Sequence, residues 1–380
     1  MFPLSPPTPA PPPIDGLDTL ASPALLFDAD QIHRNYQAAI AIAGSADRLR
    51  PHVKTHKTAE VVAIAQRLGI TKHKCATLNE AEMLGQARVG SVLVAYPLIG
   101  PALRRLVRLT RDYPETRWGL IVDNALALEQ LAGVATDFAQ PVEVLIDLDV
   151  GQGRTGVADD QQALQLAEAV VNTRGVVLGG LHAYDGHNSD SDRAKRAAIV
   201  AVTVERLQGL LDQMQRRGLP CSRLVCGGTP SFPIWAEQTL PGLECSPGTF
   251  VLHDYNYASR FADLAGFAPA AYLLTRVVSR PRAPAGDWPR LTVDLGYKAI
   301  SADQPLERRC YFPALPEARL IGHSEEHLIL ASPQADQVRL GQPLLAIPGH
   351  VCPTCALFDY ADVVRAGRVT ERWAITARAR

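Results

Sequence analysis

Acid and base nearly cancel in this 380-residue chain, 39 Asp and Glu against 38 Lys and Arg, for a net charge of −1. That balance removes the electrostatic case for nucleic acid or an anionic membrane surface as a partner. Long apolar runs are missing too: none reaches the roughly 18 residues that a membrane span needs. The first thirteen residues, MFPLSPPTPAPPP, are dominated by proline and carry no charged side chain. They lack the basic start and apolar centre of a secretory signal, so a disordered, proline-rich arm is expected over 1–16. The seven cysteines have no framework spacing, which favours free thiols in a reducing, cytoplasmic setting, or metal ligation, over disulfides. No Gly-x-Gly-x-x-Gly turn follows the first strand-like segment, which argues against an open dinucleotide-binding sheet.

What is present is ordinary globular material, 47% hydrophobic and 20% charged, enough for a large core. After an extended segment at 23–28 and a helix over 30–43, short apolar runs alternate with amphipathic ones. Strands are predicted near 48–53, 73–76, 92–95, 118–122, 142–148, 177–183, 224–226 and 243–246. Helices are predicted between them, near 59–68, 78–87, 102–111, 125–131, 162–171 and 191–217. Strand-then-helix alternation implies parallel strands joined by right-handed crossovers. The pattern therefore gives an α/β fold, a (β/α)8 TIM-type barrel over 17–265. From 266 to 380 the helical signal fades, and strands near 271–278, 290–295, 318–322, 327–330, 343–347 and 368–375 give a β-rich C-terminal domain. The segment at 23–28 could pair with either.

A barrel carries its chemistry at the carboxyl ends of its strands. Lys54 stands there after the first, within Pro51-His52-Val53-Lys54-Thr55-His56-Lys57. Neighbouring cations and partial burial ease deprotonation of such an amine, and a neutral amine is what a carbonyl cofactor needs to form a Schiff base. The plainer reading is a basic loop that binds phosphate or sits in solvent. Further strand ends supply Thr77 and Glu80, Asp123 and Asn124, Asp149 through Arg154, and then His182, Tyr184 and His187. Gly227-Gly228-Thr229-Pro230 and Pro247-Gly248-Thr249 follow the last two strands, where barrels often bind phosphate. Phosphate plus an imine-forming lysine points to pyridoxal 5′-phosphate. Arg154 and Tyr184 could then meet the cofactor ring, or be a turn arginine and a half-buried core tyrosine. Near the C-terminus, His350 and Cys352 on an extended segment would point to one face and could share a metal, the sulfur favouring zinc. Cys75, Cys221, Cys226, Cys245 and Cys310 read as buried thiols.

Taken together, these motifs resemble the D-threonine aldolase and D-serine dehydratase family, with Asp149-Val150-Gly151-Gln152-Gly153-Arg154-Thr155-Gly156 and Ser324-Glu325-Glu326-His327 completing the set. The resemblance covers about residues 18–373. It implies a pyridoxal phosphate enzyme of alanine-racemase-like fold acting on a small D-amino acid, and a homodimer. It implies Lys54 as the Schiff-base lysine, with Thr229, Gly248 and Thr249 on the phosphate. It also implies His350 and Cys352 on a divalent metal (Zn, Mn or Mg) beside the substrate hydroxyl. Two departures matter. Aldolases of the family often have aspartate where Cys352 stands, so this feature resembles the zinc-dependent dehydratases, whereas the Gly-Gln-Gly-Arg loop resembles the aldolases. Aldolases also place a histidine base further past the sixth-strand tyrosine, where Asn188, Ser189 and Asp190 stand here; His187 is the nearest candidate. The expected activity is thus D-threonine aldolase, with D-serine dehydratase as the alternative. An amino-acid racemase and a non-catalytic cofactor carrier are the further readings.

Overall fold

The structure, a computed structural model, describes residues 13–379. The proline-rich arm expected over 1–16 falls mostly outside them; at its end, the Asp15 N–H donates to the Gly367 carbonyl at 2.8 Å. Two compact units can be distinguished, one of residues 39–54 and 62–248, the other of 13–38, 55–61 and 249–379.

The chain opens with β1 (Ala24–Asp28), α1 (Ala29–Ala43) and α2 (Ala59–Arg67). The barrel then runs β2 (Lys72–Cys75), α3 (Leu78–Gln86), β3 (Ser91–Val94), α4 (Pro101–Asp112), β4 (Arg117–Val122) and α5 (Ala125–Ala135). It continues through β5 (Val142–Asp147), α6 (Asp160–Val171), β6 (Val176–Ala183), α7 (Arg193–Arg216), β7 (Arg223–Cys226), α8 (Phe232–Ala236) and β8 (Leu243–Cys245). Strands β2 to β8 lie side by side in sequence order, each parallel to the next. Leu93, Ile121, Leu145 and Val225 pack together inside, one each from β3, β4, β5 and β7, the layered filling of a closed barrel rather than a pore.

The strand predicted at 48–53 is not a strand. Leu49 bridges to Cys245 and His52 to Lys74, the Arg50 N–H donates to the Cys245 carbonyl at 2.9 Å, and the Lys74 N–H donates to the Pro51 carbonyl at 2.9 Å. This stretch is the eighth stave, closing the barrel between β8 and β2. It stays irregular because Pro51 has no N–H to give to a ladder. Arg50, almost fully buried, is held there by Glu244 of β8, Nε to Oε2 at 2.5 Å.

The second unit contains α9 (Tyr255–Arg260), β9 (Ala271–Ser279), β10 (Arg290–Val293), β11 (Cys310–Tyr311), β12 (Arg319–His323) and β13 (Leu328–Ala331). After these come β14 (Pro343–Pro348), α10 (Val351–Cys355), β15 (Tyr360–Arg365) and β16 (Arg368–Ala374). One sheet runs β12-β13-β10-β9-β1-β15-β16, with β14 joining β9 to β11. The extended segment near Leu25 therefore belongs here: β1 is buried throughout, antiparallel to β9 and parallel to β15. Ala24, Leu26, Tyr255, Tyr272, Leu274 and Ile347 pack as one core cluster of this unit. Among the described residues no helix is long and apolar enough to cross a membrane.

Candidate active site

A cavity of about 540 Å³ opens at the carboxyl ends of the barrel strands, within the range of small-molecule sites. Lys54 lines it. Its residue sits on a single 3-10 turn, Val53–Thr55, and its N–H donates to Nδ1 of buried His52 at 3.3 Å. The ring of Tyr184, just past β6, is the hub of this wall. Lys54 Nζ lies 5.6 Å from its centroid and the Arg154 guanidinium carbon 5.2 Å, both within cation–π range. Gly228 allows the ring to lie where it does: a Cβ there would stand 3.1 Å from Tyr184 Cε2. Arg154 is presented by a loop wound around Asp149, whose carboxylate accepts N–H bonds from Gly151 (2.9 Å) and Gly153 (3.0 Å). Those bonds, Gly153 foremost, hold Asp149 below its ordinary pKa. On the other side Tyr96, Pro97 and Ile99, from the loop after β3, give an apolar wall.

Lys74 of β2 shares the cavity and is not among the residues the sequence singles out. Its Nζ lies 5.4 Å from the Tyr184 centroid and 3.4 Å from His182 Nε2. His182 Nδ1 pairs in turn with Asp147 Oδ1 at 2.6 Å, and Thr155 donates its hydroxyl to the other oxygen of Asp147 at 2.9 Å. Burial, and after it the charge of Lys54, push the Lys74 ammonium down to about 7. Burial likewise lowers His182, against the pull of Asp147.

A hydrogen bond joins the two glycine turns after β7 and β8, the Gly248 N–H donating to Thr229 Oγ1 at 3.1 Å. The first rests on a buried carboxylate: the Gly228 N–H donates to Ser231 Oγ at 3.2 Å, and Ser231 donates to Asp185 at 2.8 Å. Trp235 Nε1 donates to the same carboxylate at 3.0 Å. Burial raises the Asp185 pKa against these bonds. His187 is exposed, its ring against Gly151, where a Cβ would lie 3.0 Å from Nε2; it is not part of the cavity wall.

In the second unit, His350 and Cys352 are brought together, but not on an extended strand. His350 is the extended N-cap and Cys352 the second residue of α10, a first turn that tolerates Pro353. His350 Nδ1 pairs with Asp303 Oδ2 at 2.6 Å. Cys352 Sγ lies 3.2 Å from Thr55 Oγ1 and 3.6 Å from Thr249 Oγ1, so Thr249, read from sequence as a phosphate residue, has the thiol for a neighbour. Burial, which would lower His350, is outweighed by the Cys352 bond and charge and by Asp303 and Asp254, and the imidazole is raised to about 10. Among the described residues no group of three or more His, Cys, Asp or Glu is gathered as a metal site; the donor set is a pair.

Other strand-end residues prove to be architecture. Thr77 and Glu80 form the capping box of α3, Asn124 caps α5, and Asp123 accepts the Gly156 N–H at 3.1 Å. Cys75, Cys226, Cys245 and Cys310 are buried as expected, whereas Cys221 is partly exposed.

Comparison with known proteins agrees with this architecture. Residues 27–253 match the alanine racemase N-terminal domain, and residues 270–364 a putative serine dehydratase domain. A D-threonine aldolase from an Arthrobacter species is 31% identical over 378 residues, 97% of this chain and 96% of the relative. The crystal structure of D-threonine aldolase from Filomicrobium marinum superposes with a TM-score of 0.85 at 30% identity, over 97% of this chain and 98% of that one. A D-threo-3-hydroxyaspartate dehydratase, solved as a cysteine-to-alanine mutant in the metal-free form, gives 0.80 at 27% identity over 95% and 98%. The barrel, its β-rich partner and the strand-end cavity thus define a lyase of alanine-racemase-like fold. The chain belongs to the D-threonine aldolase and D-serine dehydratase family.

Proposed function

We propose that this chain is a pyridoxal phosphate- and divalent-metal-dependent lyase acting on D-3-hydroxy amino acids, a D-threonine aldolase that releases glycine and an aldehyde. The observation that carries the reading is the convergence of Lys54, Arg154 and Tyr184 on one cavity, with Gly228 leaving room for the tyrosine ring. Lys54, Tyr184 and Arg154 fit the cofactor: an amine for its aldehyde, and a flat ring with a cation beside it. When bound, pyridoxal phosphate supplies an electron sink for the carbon next to the substrate amine.

Lys54 would hold the cofactor aldehyde. Tyr184 and Arg154 would orient its ring, and Gly228, Thr229, Gly248 and Thr249 would hold its phosphate. His350 and Cys352 would hold the metal. One nitrogen and one thiolate sulfur would suit zinc, and Asp303 on the far ring nitrogen would fix the imidazole. A metal of this kind polarises a hydroxyl and lowers its pKa. His187, the sequence's candidate for the base that takes the proton of the substrate hydroxyl in carbon–carbon cleavage, stands outside the cavity wall, so that role would require its ring to turn inward. A homodimer in a reducing cytoplasm, its seven cysteines thiols rather than disulfides, is part of the same proposal.

A second reading has one observation in its favour. Cysteine as the sulfur donor resembles the dehydratase side of the family, where water leaves and a 2-oxo acid and ammonia form. Incubation with D-threonine and with D-serine, metal added, separates the two. Glycine and acetaldehyde from D-threonine are expected; a 2-oxo acid from either substrate instead would replace aldolase by dehydratase, and neither product would remove both.

A further inference from the structure

Two amines, not one, face the Tyr184 ring at nearly equal distance, Lys74 at 5.4 Å and Lys54 at 5.6 Å. They are supported differently. Lys54 is half-buried on a single turn and has open cavity before it. Lys74 is fixed in β2 with 2% exposure and leads inward to His182 and Asp147, neither more than 5% exposed. A lysine buried to this degree is costly unless its amine is neutral or its charge is paired. The groups around it are mixed: Lys54 opposes its charge, while Asp147, Asp185 and Cys226 favour it. Among the described residues no carboxylate bonds the amine directly; its near partner is the imidazole nitrogen of His182. That arrangement is built to pass a proton rather than to hold an ion pair.

We propose that Lys74 is the proton-handling amine of this cavity, working through His182 and Asp147, while Lys54 is left to hold the cofactor. The inference rests on the reading of the cavity as the pyridoxal phosphate pocket. As the C–H bond next to the substrate amine breaks, its electrons stay with the carbon and the proton forms an N–H bond on the lone pair of Lys74. The ammonium then gives a proton to His182 Nε2, and the imidazolium so formed faces the Asp147 carboxylate. Run backwards, the same path protonates that carbon after carbon–carbon cleavage. Both branches of the family's chemistry need such a group. Burial, the largest cause of the lowering of Lys74 to about 7, favours the neutral amine that a general base needs.

The test combines a titration with two variants. In full-length enzyme labelled with 15N-lysine, the Nζ signal that vanishes in Lys74→Gln is expected to titrate near pH 7; a midpoint above about 9 overturns the proposal. Lys74→Gln and the apolar Lys74→Met should keep the cofactor's visible absorbance. They should lower kcat by about a hundredfold or more and slow exchange of the glycine α-proton into D2O to match. Wild-type kcat and exchange in either folded variant overturn the assignment. If instead the Lys74 variants lose the absorbance and Lys54→Ala keeps it, the reading of Lys54 fails as well. Absorbance kept in the Lys74 variants and lost in Lys54→Ala leaves that reading standing, whichever way the kinetics fall.

Discussion

Lys54, Cys352 and Gly228 make separable claims at the scale of single residues. Lys54→Ala is expected to abolish the visible absorbance of bound cofactor, because no other amine is assigned to its aldehyde. Cys352→Ala should keep that absorbance and lose activity and metal affinity by more than the roughly 100-fold that loss of a partner behind a ligand costs; activity that survives both this change and chelation would take the metal out of the mechanism. Gly228→Ala places a methyl group 3.1 Å from the Tyr184 ring. It should weaken cofactor binding about tenfold by displacing the ring, with the melting temperature little changed; wild-type cofactor affinity would show that the ring does not position it. Much of this site is legible in the sequence, because Lys54, Arg154, Tyr184 and the two glycine turns follow strand ends. Lys74 is not, since a lysine between His73 and Cys75 reads as one polar residue of a short strand. Its place one residue before the end of β2 is the signal that could have exposed it. Thr77 and Glu80 show the opposite error, a strand-end pair whose spacing is that of a capping box.

At the scale of elements, the irregular stave 49–52 depends on a buried charge cluster. Glu244 of β8 pairs with Arg50 at 2.5 Å and with Lys72 of β2 at 2.9 Å, tying together the three elements that close the barrel. Removing the carboxylate leaves Arg50 buried without its partner, so Glu244→Ala should cost roughly 3–5 kcal/mol by denaturant unfolding. A loss under ~1 kcal/mol would show that closure does not need it. Burial alone would raise the Glu244 pKa, but the charges and bonds of Arg50 and Lys72 hold it below 4.5. A carboxylate lowered by folding stabilises fully above its unfolded pKa, and the contribution fades as pH falls through the folded value. The gap between wild type and Glu244→Gln should therefore be full near neutral pH and shrink as acid takes the carboxylate through its lowered pKa; a gap that widens in acid would contradict the pairing. The sequence predicted a regular strand here because apolar Leu49 and Val53 flank the stretch, and Pro51 is what breaks it. It predicted no strand at β15, whose Asp362 is buried and bonded by Arg372 of β16 at 2.7 Å, a neighbour that local pattern cannot supply.

At the scale of the molecule, alternation over the first two thirds and strands without helices over the last third made both architectures legible. The assignment of β1 to the second sheet was not, because a five-residue apolar strand suits either. A homodimer is the proposed assembly, so light scattering should give a mass about twice the 41.1 kDa of the chain; a monomer would overturn that point and leave the site untouched. The central claim is more local: one amine, Lys54, carries the cofactor. Borohydride reduction of the purified coloured enzyme, followed by digestion and peptide mass mapping, tests it most directly. A phosphopyridoxyl group on the peptide containing Lys54 is the predicted result; the same group on the peptide containing Lys74, or on neither, would contradict it.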